Sequence, residues 1–364
     1  MESRPPSRIL PPTIAMAGGT FEPAADGSVA LRRHPEWIKA RIPSGETYHE
    51  VRRLLNGLSL HTVCAEAQCP NVGECWDQRT ATIMILGDTC TRACGFCAVK
   101  TGKPTLHDLD EPRRVAEAIC GLGLDHVVVT SVARDDLADG GAGVFAETIR
   151  RLRDACPGMG VEVLIPDFNG EEAPLRTVMA AGPDILNHNV ETVARLQKPV
   201  RKRARYDRSL GVLERAKAYA RELGGAAGAA AVHTKSSIMV GLGETRPELH
   251  QTFVDLRAVD CDILTVGQYL RPSARHLRVE RYYHPDEFAE MREEALALGF
   301  RHVESGPLVR SSYHARDQVP DAEARRAERA ERAAGVLASS PASEEVVRRG
   351  PTIDAEGRII YRLD

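Results

Sequence analysis

Ala81-Thr-Ile-Met-Ile-Leu86-Gly87-Asp-Thr-Cys90-Thr-Arg-Ala-Cys94-Gly-Phe-Cys97 joins a short apolar run to three cysteines within eight residues. The run reads as a buried strand that stops at Gly87. Outward from it, helix and strand patterns alternate along the chain. Residues 111–122 are amphipathic, with Val115, Ala118, Ile119 and Leu122 on one face, and residues 127–132 form a continuous apolar strand. Helix 143–155, strand 161–165, helix 172–181 and strand 184–188 follow, then helix 207–223, strand 236–240, helix 247–258, strand 262–267 and helix 286–298. Strands this uniformly apolar suit a parallel sheet covered on both faces. Six β-then-α units fall short of the eight of a closed barrel, so the expected fold is α/β, an incomplete, open (β/α)6 parallel barrel.

Barrels of parallel strands carry their chemistry at the strands' C-terminal ends. The polar and unusual residues gather there: the Cys90–Cys97 run after the first strand, and Ser131, Arg134, Asp135 and Asp136 after the second. Asn189 and Glu191 follow the fourth, Gly241–Glu244 the fifth, and Gln268 and Tyr269 end the sixth. Ahead of the barrel, residues 46–59 have helical spacing at Val51, Leu54, Leu55 and Leu58, and a Pro- and Gly-rich arm anchored by Trp37 and Ile38 precedes them. The alanine-rich stretch 224–231 reads as a surface loop, and the Ala/Arg/Glu-rich 317–347 as a solvated helix.

The cysteines decide the chemistry. Of nine, Cys64, Cys69 and Cys75 form one triplet and Cys90, Cys94 and Cys97 a second, while Cys120, Cys156 and Cys261 stand alone and are expected as buried thiols. A disulfide framework is not expected in a chain that can bury a core of its own. Structural zinc wants four ligands, and neither triplet has a fourth cysteine nearby, although His61 and His107 flank them. A four-iron cube held by three thiolates fits better and leaves one iron open for chemistry.

Composition agrees with an enzyme of this kind. The 364 residues are 43% hydrophobic and 27% charged, which excludes a disordered or collagenous chain. Lys plus Arg number 48 against 51 Asp plus Glu, a net charge of −3, so nucleic acid is not the expected partner. The longest apolar runs are strand-length and no membrane partner is expected. Pro5, Pro6, Pro11 and Pro12 break any signal-peptide core, which points to the cytoplasm.

The Cys90-x3-Cys94-x2-Cys97 spacing, with Phe96 before the last cysteine, resembles the radical S-adenosylmethionine (SAM) enzymes. The upstream Cys64-x4-Cys69-x5-Cys75, together with Arg310-Ser311-Ser312-Tyr313, narrows this: the chain resembles the lipoyl synthase family over about residues 35–316. Further matching stretches are Ala67–Cys75, Thr130–Gly141, Asn187–Thr192 and Gly306–Tyr313. The resemblance implies a radical SAM type barrel with N- and C-terminal extensions. With the Pro/Gly-rich arm over 1–45 and the charged tail over 317–364 read from composition, the resemblance implies an auxiliary-cluster segment over 46–78, a core over 79–300 and a C-terminal segment over 301–316. It implies two 4Fe–4S clusters, one binding SAM on Cys90, Cys94 and Cys97, the other auxiliary on Cys64, Cys69 and Cys75 with Ser312 as its fourth ligand. The implied activity is that of a sulfurtransferase, inserting two sulfur atoms at C6 and C8 of an octanoyl chain on a lipoyl-domain lysine. The sulfur comes from the auxiliary cluster. Those C–H bonds have no acidity, so a 5′-deoxyadenosyl radical is needed. Implied partners are octanoylated lipoyl-domain proteins (2-oxoacid dehydrogenase E2 subunits and the glycine cleavage H protein) and a flavodoxin- or ferredoxin-type reductant.

Several residues carry two readings. Ser312 competes with Ser311, and without the resemblance a Ser-Ser pair is an ordinary turn. Asn189 and Glu191 either cap a helix starting near 191 or contact SAM. Residues 237–244, with Gly241 and Glu244, resemble the backbone that lies against adenine in radical SAM enzymes, with Ser237 where that pattern has glycine. A tight turn explains Gly241 and Gly243 equally well. Asp135 and Asp136 bind SAM or cap a helix, with capping preferred. The basic run 198–205 is either a solvated face or a steering patch for an acidic protein substrate. Another two-cluster sulfur inserter, such as a methylthiotransferase, would add an RNA-binding module that this chain lacks. An iron–sulfur or zinc-binding electron-transfer protein is the reading from a different class.

Overall fold

The computed structural model describes residues 20–23, 29–32, 34–39, 45–58, 60–67, 69–77, 80–105, 108–124, 126–227, 232–318, 352–353 and 359–360. The chain divides into two units, 1–320 and 321–364. In the second, Thr352–Ile353 pairs antiparallel with Ile359–Ile360. The helix expected over 317–347 and His107 lie outside the described residues, apart from a short 3-10 turn at Ala315–Gln318.

The first unit is built on one sheet whose strands follow in chain order. They are β1 (Thr82–Ile85), β2 (His126–Ser131), β3 (Gly160–Leu164), β4 (Ile185–Asn187), β5 (His233–Val240), β6 (Ile263–Gln268) and β7 (His302–Gly306). All pair in parallel, and the two-residue strand His61–Thr62 adds antiparallel to the outer side of β1. The connecting helices are α1 (Glu111–Leu122), α2 (Ala142–Ala155), α3 (Glu172–Ala180), α4 (Tyr206–Ala227), α5 (Arg246–Ala258) and α6 (Pro285–Ala297). The strand order is linear, from His61–Thr62 at one edge to β7 at the other. Six β-then-α units in an open arrangement are as expected, and β7 is an addition.

Local chemistry sets the element ends. Pro112 sits in the first turn of α1, where its missing N–H costs nothing, and the helix stops at Gly123 in the left-handed region (φ 62°). α5 opens with a reciprocal Thr245–Glu248 capping box.

Side chains alternate across each strand, and this alternation splits the barrel. On β1, Ile83 and Ile85 join the core under the helices while Thr82 and Met84 face an internal cavity. On β5, Ile238 and Val240 pack with Phe253, Leu264 and Val266, while Ser237 and Met239 face the cavity. Nearer the N-terminal ends of β3 and β5 the interior holds a buried ion pair, Lys235 Nζ to Glu162 Oε1 at 3.0 Å, and Asn187 donates to the same oxygen.

Four expectations need correction. Cys120 and Cys156 form a disulfide with Cα atoms 6.0 Å apart. The side-by-side packing of α1 and α2 brings the end of each helix together, a proximity that a sequence separation of 36 conceals. Cys261 is a buried free thiol as expected. No helix starts at 191. Glu191 takes φ 65°, and its backbone bridges to β5, its N–H donating to the Ser237 carbonyl and its own carbonyl accepting from Met239. Nor do Asp135 and Asp136 cap α2. Asp139 does that work, accepting from the N–H groups of Gly141 and Gly143, because the chain makes a further turn before the helix begins. The surface loop expected over 224–231 starts inside α4, which runs to Ala227, and 228–231 lie outside the described residues.

Candidate active site

The first cysteine loop leaves β1 at the barrel's C-terminal end and is fixed from several sides. Thr89–Cys90 pairs with Lys100–Thr101, closing the loop on itself. The N–H groups of Arg92 and Ala133 both point at Cys90 Sγ, each at 3.4 Å. Gly95 N–H donates to the Val200 carbonyl and its own carbonyl accepts from Leu277 N–H, so segments after β4 and β6 clasp the loop. A Cβ on Gly95 would press on the Leu277 side chain, which explains the glycine. Arg92 reaches from the loop to Asp135 after β2 and to Asp167 after β3.

The upstream triplet comes from short helices packed against the outer side of β1. Cys64 lies in Val63–Glu66, whose N-cap Thr62 accepts from Ala65 N–H at 3.2 Å. Cys69 N–H donates to the Cys64 carbonyl, and Cys75 lies in Val72–Asp77 with its N–H on the Asn71 carbonyl. The C-terminal segment 307–313 is laid beside them. Asn71 Nδ2 donates to the Leu308 carbonyl at 2.7 Å, Tyr313 Oη donates to Glu74 at 3.3 Å, and Thr82 Oγ1 donates to Ser312 Oγ at 2.8 Å. A Cβ on Gly267 would collide with the Val309 carbonyl, so the glycine in β6 lets this segment reach the barrel.

The two triplets meet. A cavity of about 550 Å³ is lined by Cys64, Cys69, Cys90, Cys94, Cys97 and both serines, Ser311 and Ser312. Cys75 is not on its wall but lies close enough to Cys64 and Cys69 for their charges to raise its thiol, after burial itself. Burial likewise pushes Cys64 up to about 11 and Cys97 to about 12. Thiols held this way need a cation before they ionise, and iron is such a cation. Two buried polar atoms on the cavity wall, Ser131 Oγ and Asn189 Oδ1, have no hydrogen-bond partner among the described residues. Both suit a polar ligand in the cavity. The donor set therefore fits two sulfur-ligated clusters and a polar cosubstrate.

Of the residues expected to contact SAM, Asn189 and Glu191 do line the cavity. Asn189 Nδ2 donates to Glu191 Oε1 at 3.0 Å, and burial raises the Glu191 carboxyl against the lowering effect of Arg201. Gly241 and Glu244 do not line it. The Glu244 carboxylate is taken up by the N–H groups of Gly241 and Leu242, and Gly241 (φ 101°) has no room for a Cβ against Gln268 and the Arg281 carbonyl. This turn ties β5 to β6 instead. Arg201, read as part of a basic face, belongs to the site: its Nη1 donates to the Asn189 carbonyl at 2.9 Å. Thr82, Arg92, Asn71, Gly267 and Arg310 were not singled out by sequence, although Asn71, Arg92 and Arg310 lie inside recognisable motifs.

Comparison with known proteins accords with this geometry. Residues 84–256 match the model of the radical SAM superfamily, and residues 24–69 match that of the N-terminal domain of lipoyl synthase. A lipoyl synthase of Symbiobacterium thermophilum is 61% identical over 296 residues, covering 81% of this chain and 90% of that protein. The chain belongs to the lipoyl synthase family. Lipoyl synthases of Rubrobacter xylanophilus and Koribacter versatilis are each 57% identical, covering 79% and 78% of this chain and 87% and 91% of theirs. Among solved structures, methylornithine synthase is similar with a TM-score of 0.43 at 14% identity, covering 72% of this chain and 82% of that one, a likeness too distant to add to the assignment. As a lipoyl synthase family member the chain is a radical SAM enzyme of the sulfurtransferase type, with SAM and two 4Fe–4S clusters as cofactors.

Proposed function

We propose that this chain inserts sulfur at C6 and C8 of an octanoyl group carried on a lipoyl-domain lysine, with the labour divided between the two triplets. Cys90, Cys94 and Cys97 would hold the cluster that binds SAM, and Cys64, Cys69, Cys75 and Ser312 the auxiliary cluster. Bound there, the clusters supply the electron that cleaves SAM and the sulfur that is transferred. The chain's own residues bind, orient and exclude water. Asn189, Glu191 and Ser131 present polar groups to SAM, and Arg201 stiffens the turn that carries Asn189. Val63, Met84, Val132, Leu164 and Met239 give the same cavity an apolar wall suited to an alkyl chain. A water-poor cavity protects a radical from quenching.

One observation carries this reading: five of the six triplet cysteines and Ser312 line a single cavity, with Cys75 beside Cys64 and Cys69 behind its wall. Two sites that must act on one alkyl chain have to share the space it occupies. The protein substrates would be octanoylated E2 subunits or the H protein, and the reductant a flavodoxin or ferredoxin. No helix among the described residues is long and apolar enough to cross a membrane.

Anaerobic reconstitution followed by iron and sulfide analysis tests the assignment. The parent should hold two four-iron clusters, and alanine replacement of either whole triplet should remove one. Loss of both clusters from one triplet's replacement, in a folded chain, would contradict two independent sites.

A further inference from the structure

Thr82 stands at the start of β1, buried to 5% exposure, with its side chain on the cavity side of the strand. It touches the upstream site twice. Its main chain hydrogen-bonds the Cys64 thiol, and its hydroxyl donates to Ser312 Oγ at 2.8 Å across 230 residues of sequence. Among the described residues, the neighbouring Ser311 hydroxyl has no protein hydrogen-bond partner although it lines the same cavity. Two adjacent serines thus reach one space, and only one is held.

We propose that Thr82 is the positioning residue that makes Ser312, and not Ser311, the fourth donor of the auxiliary site. This rests on the reading of Cys64, Cys69 and Cys75 as that site's thiolates. A serine that binds iron does so through an anionic oxygen, which only accepts hydrogen bonds. An oxygen anion beside three thiolates is crowded by like charge. A hydroxyl donor already in place shares that charge, and a hydrogen bond to an ionised acceptor is about twice as strong as a neutral one. The strand supplies rigidity as well. Thr82 is β-branched and pinned in the ladder opposite Val128 of β2, so its hydroxyl has little freedom to leave. Without it, nothing distinguishes Ser312 from Ser311 except one residue of sequence. Thr82 does not touch reacting atoms. It acts through Ser312.

The test uses the full chain carrying Cys90→Ala, Cys94→Ala and Cys97→Ala, so that only the auxiliary cluster assembles. After anaerobic reconstitution, iron release to a chelator and the electron paramagnetic resonance spectrum of the reduced cluster are measured. Thr82→Val keeps the shape and removes the hydroxyl. It should release iron about tenfold faster than the parent and shift the spectrum, as expected for loss of one charge-assisted hydrogen bond. Thr82→Ser, which restores the donor, should stay within about twofold of the parent. Ser312→Ala should release iron at least as fast as Thr82→Val, and combining the two should add nothing further. A purely structural threonine would give additive effects and an unshifted spectrum. Thr82→Ala, which also lacks the hydroxyl, answers the question if the valine variant does not fold. Parent-like release and spectrum in Thr82→Val, with Ser312→Ala fast, would overturn the role of Thr82 alone. Parent-like behaviour of Ser312→Ala would remove the reading on which it rests.

Discussion

Arg92 grips Asp135 with two parallel bonds, Nη2 to Oδ1 at 2.6 Å and Nε to Oδ2 at 2.9 Å, while the same Nη2 lies 2.7 Å from Asp167 Oδ1. The guanidinium is 8% exposed and the Asp167 side chain is fully buried. One side chain from the cysteine loop is thereby bolted to the ends of two barrel strands. A planar fork suits this bidentate geometry, which a lysine cannot reproduce.

A pH dependence follows. Burial alone would raise the Asp167 carboxyl, but the hydrogen bond and charge of Arg92 override it and hold the group at about 2 instead of 3.8. A depressed carboxyl stabilises the fold above its ordinary range and loses that contribution as pH falls through the folded value. The contribution is about 2 kcal/mol at pH 7, with about 1 kcal/mol of it gone by pH 3. Denaturant unfolding at both pH values should show the advantage of the parent over Asp167→Asn shrinking on acidification. An advantage that is constant with pH would mean the carboxylate charge is not what matters.

Replacement of one cysteine from each triplet should separate two activities. Cys94→Ala should abolish 5′-deoxyadenosine formation, because two thiolates cannot hold the SAM-binding cluster correctly. Cys69→Ala should keep SAM cleavage and lose sulfur transfer. Chromatographic assay of 5′-deoxyadenosine beside peptide mass spectrometry reads both. Retained cleavage in Cys94→Ala would remove the second triplet from the SAM site.

Gly267→Ala should act on the auxiliary site from a distance. The added methyl collides with the Val309 carbonyl and pushes away the segment that carries Ser312. Iron content should fall toward one cluster per chain, and product formation should drop by an order of magnitude or more. SAM cleavage should persist. Unchanged auxiliary iron would mean the segment adapts without cost.

The barrel was legible because its strands are continuous apolar runs and its helices have clean periodicity. β7 was not, since His302, Glu304 and Ser305 interrupt it and it lies at the sheet edge, half-exposed. The grouping of the cysteines was legible from their spacing, and the C-terminal motif marked Ser312, which lines the same cavity. What escaped was everything that works through tertiary contact. Thr82 and Gly267 meet the C-terminal segment across about 40 to 230 residues with nothing local to mark them, and Asn71, though inside the Ala67–Cys75 stretch, gives no local sign of its partner Leu308. Of the two readings open for Glu191, the helix cap fails because its backbone partner, β5, is far along the chain.

The basic run divides in two. Lys198 and Lys202 are exposed, while Arg201 supports the Asn189 turn and Arg203 pairs with Asp135 at 3.2 Å. Lys198→Glu with Lys202→Glu should slow use of an intact lipoyl domain several-fold, spare a short octanoyl-lysine peptide, and lose its effect at high salt, where the Debye length falls below about 8 Å. Arg201→Gln should weaken SAM binding with either substrate. Steady-state kinetics against ionic strength distinguishes them. Equal losses on both substrates for the lysine pair would make that pair structural.

The most direct measurement is anaerobic incubation of the reconstituted chain with SAM, a reductant and an octanoyl-lysine peptide, followed by mass spectrometry of the peptide. A product carrying two added sulfur atoms, at C6 and C8, should form only when both triplets and Ser312 are intact. Formation of 5′-deoxyadenosine while the peptide gains no sulfur would contradict this.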